Sequence, residues 1–448
     1  MTRLSRAAPL LALTAQAAIA PAGMADPLPD DGFIAGSRWS LLNRTVYDQR
    51  DYRHGARSNG ARNALKPFAE RNGYAEEWAY GLMGRFQSGF TAGTVGIGLD
   101  AHVHSAIQLD SGGGRAGKAR LLGLDDDRRP NDEMTRAGAA LKLRTGPSTL
   151  VYGEQRVKTP VFGSSDSRLL PETATGWLLD TEATSDTRVL LGHFTESTDR
   201  NASSHDEGFV VNYSNAEQGD RLDFVGLVHA GDRLSASLFG SRYEDTWTQH
   251  YLGLAYRHPL GDGHALALAL NGYRTTDTGQ ALSGRIDNTA WSLSSSYLSG
   301  PHRFTLGYQH IDGDTPFDYV TRGAIYLGNA AQLSDFNAPN ERSWQLRYDL
   351  SMAGFGLPGL SFSAAYLHGH DIDGRDVDPS GGYAYLGYGT EGEHWERDLE
   401  ARYVMQDGAA RGLMVSLRHS VHRGNTAQAE LDADQLRLAV EWPLGGAL

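Results

Sequence analysis

Along TVGIGLDAHVHSAIQLD, Thr94 to Asp110, apolar residues keep one parity and polar residues the other. Val95, Ile97, Leu99, Ala101, Val103, Ile107 and Leu109 fall on one face of an extended strand, and Asp100, His102, His104, Gln108 and Asp110 on the opposite face. Strands of soluble sheets run about 5–6 residues, and this alternation lasts far longer. From Phe33 onward the chain repeats the same unit, an alternating segment followed by a polar break. The apolar parity reads Leu141/Leu143, Leu222/Phe224/Val228, Leu234/Leu238, Leu252/Leu254/Tyr256, Phe304/Leu306/Tyr308, Leu413/Val415/Leu417 and Leu436/Leu438/Val440/Trp442. This pattern predicts half-buried strands almost throughout and almost no helix.

The breaks come in two sizes. TGPS (145–148), AGD (230–232), LGDG (260–263), SGPH (299–302) and QDGAARG (406–412) are tight, whereas 51–75, 110–134, 158–173, 198–219, 312–340 and 370–393 are long and rich in Gly, Asp and Asn. Short turns at one end and long loops at the other is the pattern of bacterial outer-membrane barrels, with aromatic girdles at the strand ends. About nineteen segments can be counted, but a chain that enters and leaves on one side needs an even number, and 207–215 fits best inside a long loop. The expectation is an all-β transmembrane antiparallel barrel of 18 strands, with short periplasmic turns and long extracellular loops. A barrel of that size leaves an aqueous lumen, so lipid takes the apolar parity and water takes Asp100, His102 and His104. A soluble β-sandwich would not need one-sided long loops and long strands together.

Composition changes the picture in three places. The mean hydropathy of −0.43 excludes helical membrane proteins but not barrels, whose strands are only half apolar. The absence of cysteine fits an exported protein that needs no disulfides. The formal charge of −13, without a basic patch interleaved with aromatics, argues against nucleic acid. Arg3 and Arg6 precede the apolar run AAPLLALTAQAAIA, which has the layout of a secretory signal cleaved after Ala25 or Ala20. The expected organisation is therefore a signal peptide at 1–25, a periplasmic lead at 26–36, the barrel at 37–443 and a tail at 444–448.

Several segments carry a family resemblance. QSGFTAGTVGIGLDA, TRAGAALKLRTGPSTLVYGEQ, PVFGSSDSRLLPETATGW, DFNAPNERSWQLRYDL, FDYV and EHWERDLEARYVMQ, spread between about Gly32 and Pro443, resemble the OprD family of substrate-specific outer-membrane porins of Pseudomonas-type bacteria. The resemblance implies an 18-stranded channel with a narrow eyelet that carries small carboxylate-bearing solutes by diffusion. It further implies a guiding ladder of inner-wall arginines at Arg50, Arg144, Arg418 and Arg437.

Strand parity supports the last three independently, with Lys142 on the face of Arg144 and His422 on that of Arg418. A guanidinium stays charged and offers a planar donor fork to a carboxylate. The alternative for each inward arginine is an ion pair with Glu441, Glu400 or Asp398. Residues 160–177 match the family loop that narrows the barrel, where Ser164, Ser165, Ser167 and Arg168 offer polar contacts; a plain extracellular loop is the other reading. Asp335 matches an eyelet acid, or caps its loop. Against the family pattern, Ser416 and Ala439 stand where further arginines can occur and thin the ladder, and Gly323, Ala330 and Leu333 replace positions that are acidic or hydroxylic in members taking basic amino acids, so the resemblance implies carboxylates with neutral or aromatic bodies.

No cofactor or metal is expected. DIDGRDVD (371–378) places Arg375 where a calcium loop wants an oxygen, and His102 with His104 lack a third ligand. Without a G-x-S-x-G elbow or comparable setting, the chain is not expected to be an enzyme. Expected partners are small carboxylate solutes, outer-membrane lipid and lipopolysaccharide, and the barrel-assembly machinery, with the barrel a monomer or loose trimer.

Overall fold

The computed structural model describes residues 32–110, 112–204, 208–216 and 219–447. The expected signal peptide, 1–25, lies outside them. Among the described residues there are eighteen strands: β1 (Arg38–Tyr52), β2 (Tyr74–Gln87), β3 (Gly96–Asp110), β4 (Glu133–Thr145), β5 (Ser148–Gln155), β6 (Thr173–Thr184), β7 (Thr187–Thr198), β8 (Leu222–Ala230), β9 (Leu234–Tyr243), β10 (Trp247–Gly261), β11 (His264–Asp277), β12 (Asp287–Ser299), β13 (His302–Asp312), β14 (Arg342–Ser351), β15 (Leu360–Ile372), β16 (Gly392–Val404), β17 (Met414–Gly424) and β18 (Ala433–Ala447). Each pairs antiparallel with its sequence neighbours, and β1 pairs with both β2 and β18, so the sheet closes into a barrel without an edge.

Turn chemistry explains the two ends. The β10–β11 hairpin turns on Asp262 and Gly263, both in the left-handed region (φ 51° and 80°), the pair a tight two-residue hairpin requires. Connections after even-numbered strands are short and lie at one end together with the start of β1 and the end of β18, while the long segments 53–73, 111–132, 156–172, 199–221, 313–341 and 373–391 all follow odd-numbered strands. Among the described residues, segment 207–215 contributes no named strand, as parity required; Val211 makes only an isolated bridge to Val320. The last strand runs past the expected barrel end at 443, because Leu444 to Ala447 find register partners in Leu41 to Arg38.

The outer face is the predicted apolar one on most strands. Ile97, Leu99 and Val103 of β3, Leu238 of β9, Leu252 of β10 and Phe304 and Leu306 of β13 are all exposed. β8 overturns the expectation. Leu222, Phe224 and Val228, assigned to the outer face from their spacing, are buried, and Val225 and Leu227 are the exposed pair. Both parities of this strand are apolar, so alternation does not choose between them. Aromatic packing does: the inward ring of Phe224 lies over Gly192, and that of Phe239 over Gly226, where an added Cβ would come within 2.3 and 2.1 Å of ring carbon. These rings belong to a buried cluster that includes Phe162, Phe194, Tyr243, Trp247 and Tyr273. Val225→Arg should therefore cost about 2–4 kcal/mol, the range for a cation on the lipid face near the midplane, in a denaturant titration of vesicle-inserted barrel. A lumen-facing position would show almost no loss.

Candidate functional site

Four neighbouring strands carry a charged row on the face opposite the apolar band. Register places Asp48 of β1 opposite Arg437 of β18, Arg437 opposite Arg418 of β17, and Arg418 opposite Glu400 of β16. Arg50 stands one inward position toward the long-loop end and Arg44 two positions toward the short-turn end, so β1 alone spreads guanidinium charge over about 20 Å of rise.

Each member is held by a partner. Arg418 donates to Glu400 Oε2 through Nε (3.1 Å) and Nη2 (2.5 Å), and through Nη1 to Gln332 Oε1 (2.6 Å). Arg50 Nε donates to Asp48 Oδ1 at 3.3 Å, while Gln435 donates to the other oxygen at 2.7 Å. Arg437 Nη2 donates to the Ser167 carbonyl at 2.5 Å. Guide and ion-pair readings of these arginines are thus not exclusive. Ser416, one of the thinned positions, donates to Glu400 at 2.7 Å and helps orient it.

The segment 156–172 meets this row directly. Arg44, only 5% exposed, donates through Nη1 to Asp166 Oδ1 (2.7 Å), the Arg168 carbonyl (2.9 Å) and the Leu169 carbonyl (3.2 Å), and through Nε to Glu441 (2.9 Å). Arg156 holds the second oxygen of Asp166 at 2.9 Å. Burial would raise the Asp166 carboxyl, but Arg44 and Arg156 hold it below the usual carboxylate range. Arg168 is pushed down to about 9 by burial and by the neighbouring guanidiniums of Arg437, Arg50 and Arg418. Arg44, Arg50, Arg156, Arg168, Arg418 and Arg437 face four carboxylates, Asp48, Asp166, Glu400 and Glu441, which leaves two surplus positive charges in this group.

The loop serines are used differently. Ser164 exchanges hydrogen bonds with Val157, and the Ser165 amide donates to Glu172 at 2.7 Å, so both shape the loop; the Ser165 and Ser167 hydroxyls meet at 3.0 Å. The segment also packs on 313–341. Thr321 donates to the Gly163 carbonyl at 2.6 Å, and a Cβ on Gly323 would come within 2.4 Å of the same oxygen. Glycine at 323 therefore does more than omit an acid: it permits the contact between the two loops.

Asp335 sits in 313–341, where its Oδ2 accepts hydrogen bonds from the hydroxyls of Tyr213 and Tyr319, each 2.7 Å away. Burial raises its carboxyl against those two bonds and against the charge of Arg168. Nearby, Glu396 of β16 accepts the amides of Leu333 (2.8 Å) and Ser334 (2.9 Å), which fixes this loop against the wall.

Two expected ladder members stand apart from the row. Lys142 is buried, bound to Asp100 at 2.6 Å and donating to the Ser88 carbonyl at 2.9 Å, and Arg144 lies 4.4 Å over the Phe90 ring. Arg144 is paired with Gly96, the first residue of β3, so both cations belong to the short-turn end. His102 and His104 stack at 4.6 Å, with His102 3.3 Å from Glu154. His422 is buried against His394 of β16. Sequence reasoning missed Arg44, Arg156 and Asp166. Arg44 shares the parity of Asp48 and Arg50, a usable signal that the apolar Val46 on the same face concealed.

Comparison with known proteins identifies the family. The chain is 39% identical to Porin D of Pseudomonas aeruginosa over 440 residues, covering 96% of this chain and 95% of that protein. The crystal structure of Pseudomonas aeruginosa OprD matches with a TM-score of 0.79 and 38% identity, over 93% of this chain and 97% of that one. Pseudomonas aeruginosa OpdK, solved with vanillate, matches with a TM-score of 0.81 and 30% identity, over 93% and 100%. The family model of the outer membrane porins of the OprD family matches residues 31–445. The chain belongs to the OprD family of outer membrane porins, which form passive channels rather than enzymes.

Proposed function

We propose that this porin is a selective channel for small carboxylate-bearing solutes with neutral or aromatic bodies. The observation that carries the reading is the row formed by Arg418, Arg437 and Arg50, with Arg168 of the adjoining segment inside the same field. Segment 156–172 lies across the lumen and makes the neck. A solute carboxylate is attracted from the long-loop end toward Arg50, passes to Arg437 and Arg418, and leaves toward Arg144 at the short-turn end. Each guanidinium already shares its donors with a protein acceptor, which keeps any one site moderate in strength and lets the solute move on.

Asp335, held by the hydroxyls of Tyr213 and Tyr319, suits a solute whose far end is neutral and flat or carries a hydroxyl or amino group. That OpdK has been solved with vanillate, an aromatic carboxylate, supports the same substrate class. With Gly323, Ala330 and Leu333 in the loop, the site offers little to a cationic side chain. Uptake into proteoliposomes of matched acids and amides tests the reading. Aromatic and short aliphatic acids should enter well ahead of their amides and of basic amino acids; faster entry of the basic amino acids would overturn it.

A further inference from the structure

We propose that His394, His422 and Glu430 form a binding site for one divalent transition cation of the zinc class, at the long-loop end of the barrel. His394 Nδ1 and His422 Nε2 lie 2.9 Å apart. Glu430 Oε2 is 3.2 Å from His422 Nε2 and 3.7 Å from His394 Nδ1. Zinc bound to nitrogen and oxygen at about 2.0–2.2 Å in tetrahedral geometry separates its ligand atoms by about 3.4 Å. The three observed separations bracket that value, and the side chains converge on one point.

The outer hydrogen bonds fix which nitrogens face that point. His422 Nδ1 is 3.2 Å from the Leu431 carbonyl, which can only accept, so Nδ1 carries a proton and Nε2 presents its lone pair inward. His394 Nε2 is 2.8 Å from Glu341 Oε1, a carboxylate whose other oxygen accepts the Ala338 amide, so Nε2 carries a proton and Nδ1 is the nitrogen that faces the centre. Two imidazole nitrogens and a carboxylate oxygen therefore meet at one place. Glu430 Oε2 is buried there with both imidazoles within ion-pair reach. A metal cation at the centre would take the place of the proton that the two nitrogens otherwise share.

A carboxylate or carbonyl behind each ligating imidazole is the usual support of a metal-bound histidine. Two imidazole donors select zinc-class ions over calcium or magnesium. Both histidines are buried, and the Phe336 ring covers His394 at 4.3 Å. The ion would join β16, β17 and the loop before β18, and through Glu341 the end of segment 313–341.

The test uses untagged, detergent-folded, full-length barrel stripped with a chelator, then titrated with zinc by calorimetry and with cobalt(II) by visible absorption. One equivalent should bind, with the intense cobalt bands of four-coordinate geometry, and zinc should raise the melting temperature. Glu341→Gln should weaken binding about 10–100-fold with the stoichiometry kept, as loss of an outer-shell partner does; His422→Gln and Glu430→Gln should weaken it further. Circular dichroism confirms that each variant has folded. Absence of stoichiometric binding by the parent barrel, weak octahedral cobalt spectra, or equal binding by parent and all three variants would overturn the proposal. The first of these results would leave a shared proton as the occupant.

Discussion

Replacing Arg418 and Arg437 together by glutamine should lower carboxylate flux about tenfold or more while neutral sugars pass almost as before. Hydrogen bonds to charged groups are worth about 1.5–3 kcal/mol each, and about 1.4 kcal/mol is a factor of ten in affinity. Glutamine keeps a donor and much of the side-chain length but removes the charge. Glu400 complicates the double variant, because Arg418 Nη2 holds it at 2.5 Å and an orphaned carboxylate would repel the solute. Adding Glu400→Gln separates the two effects. Flux that stays low in the triple variant marks lost attraction, and flux that recovers fully marks new repulsion. Proteoliposome uptake of an acid and its amide by parent, double and triple variants provides the comparison. Equal losses for acid and sugar would remove the guiding role.

The second large effect is expected at Arg44. Arg44→Met removes three hydrogen bonds that hold segment 156–172 to β1 and one to Glu441. The length and apolar contact of the stem are kept. Loss of a partner for a buried or half-buried polar group costs about 1–3 kcal/mol, and Asp166 keeps only Arg156 among its two guanidinium partners. The segment should then leave its closed position far more often. Single-channel recordings should show larger and noisier current with weaker discrimination between acid and amide, while the barrel itself still folds. Unchanged current would mean that the neck lies elsewhere.

Much of the fold was legible because lipid enforces a period of two. Alternation fails to choose a face only where both faces are apolar. On β8 the inward Phe224 and Val228 are as apolar as the outward Val225 and Leu227, and glycines on β7 and on β8 itself, each lying under an inward ring, decided the matter. The strand count followed from parity, since a loop segment such as 207–215 cannot be admitted without placing the chain ends on opposite sides. The site was legible by face but not by height. Parity puts Arg144, Arg418 and Arg437 on the inner wall, yet only register shows Arg418 opposite Arg437 and Arg144 near the end of the barrel, beside Phe90.

Contacts made by loops were the least legible. Arg44 and Asp166 are 122 positions apart, and no local pattern announces such a pair. The His394–His422–Glu430 group was hidden for the same reason. His422 was readable as an inward residue, but its partners come from the next strand and the next loop, joined only because Glu396 registers with His422 and sets His394 one inward position away.

The most direct test of the central claim is single-channel current through the purified protein in a planar bilayer, with carboxylate and amide forms of one solute added in turn. A selective channel predicts discrete small steps, interrupted by the carboxylate and not by the amide, with the interruptions lost in the Arg418→Gln, Arg437→Gln double variant. Large steps that neither form interrupts would contradict it and describe a general porin.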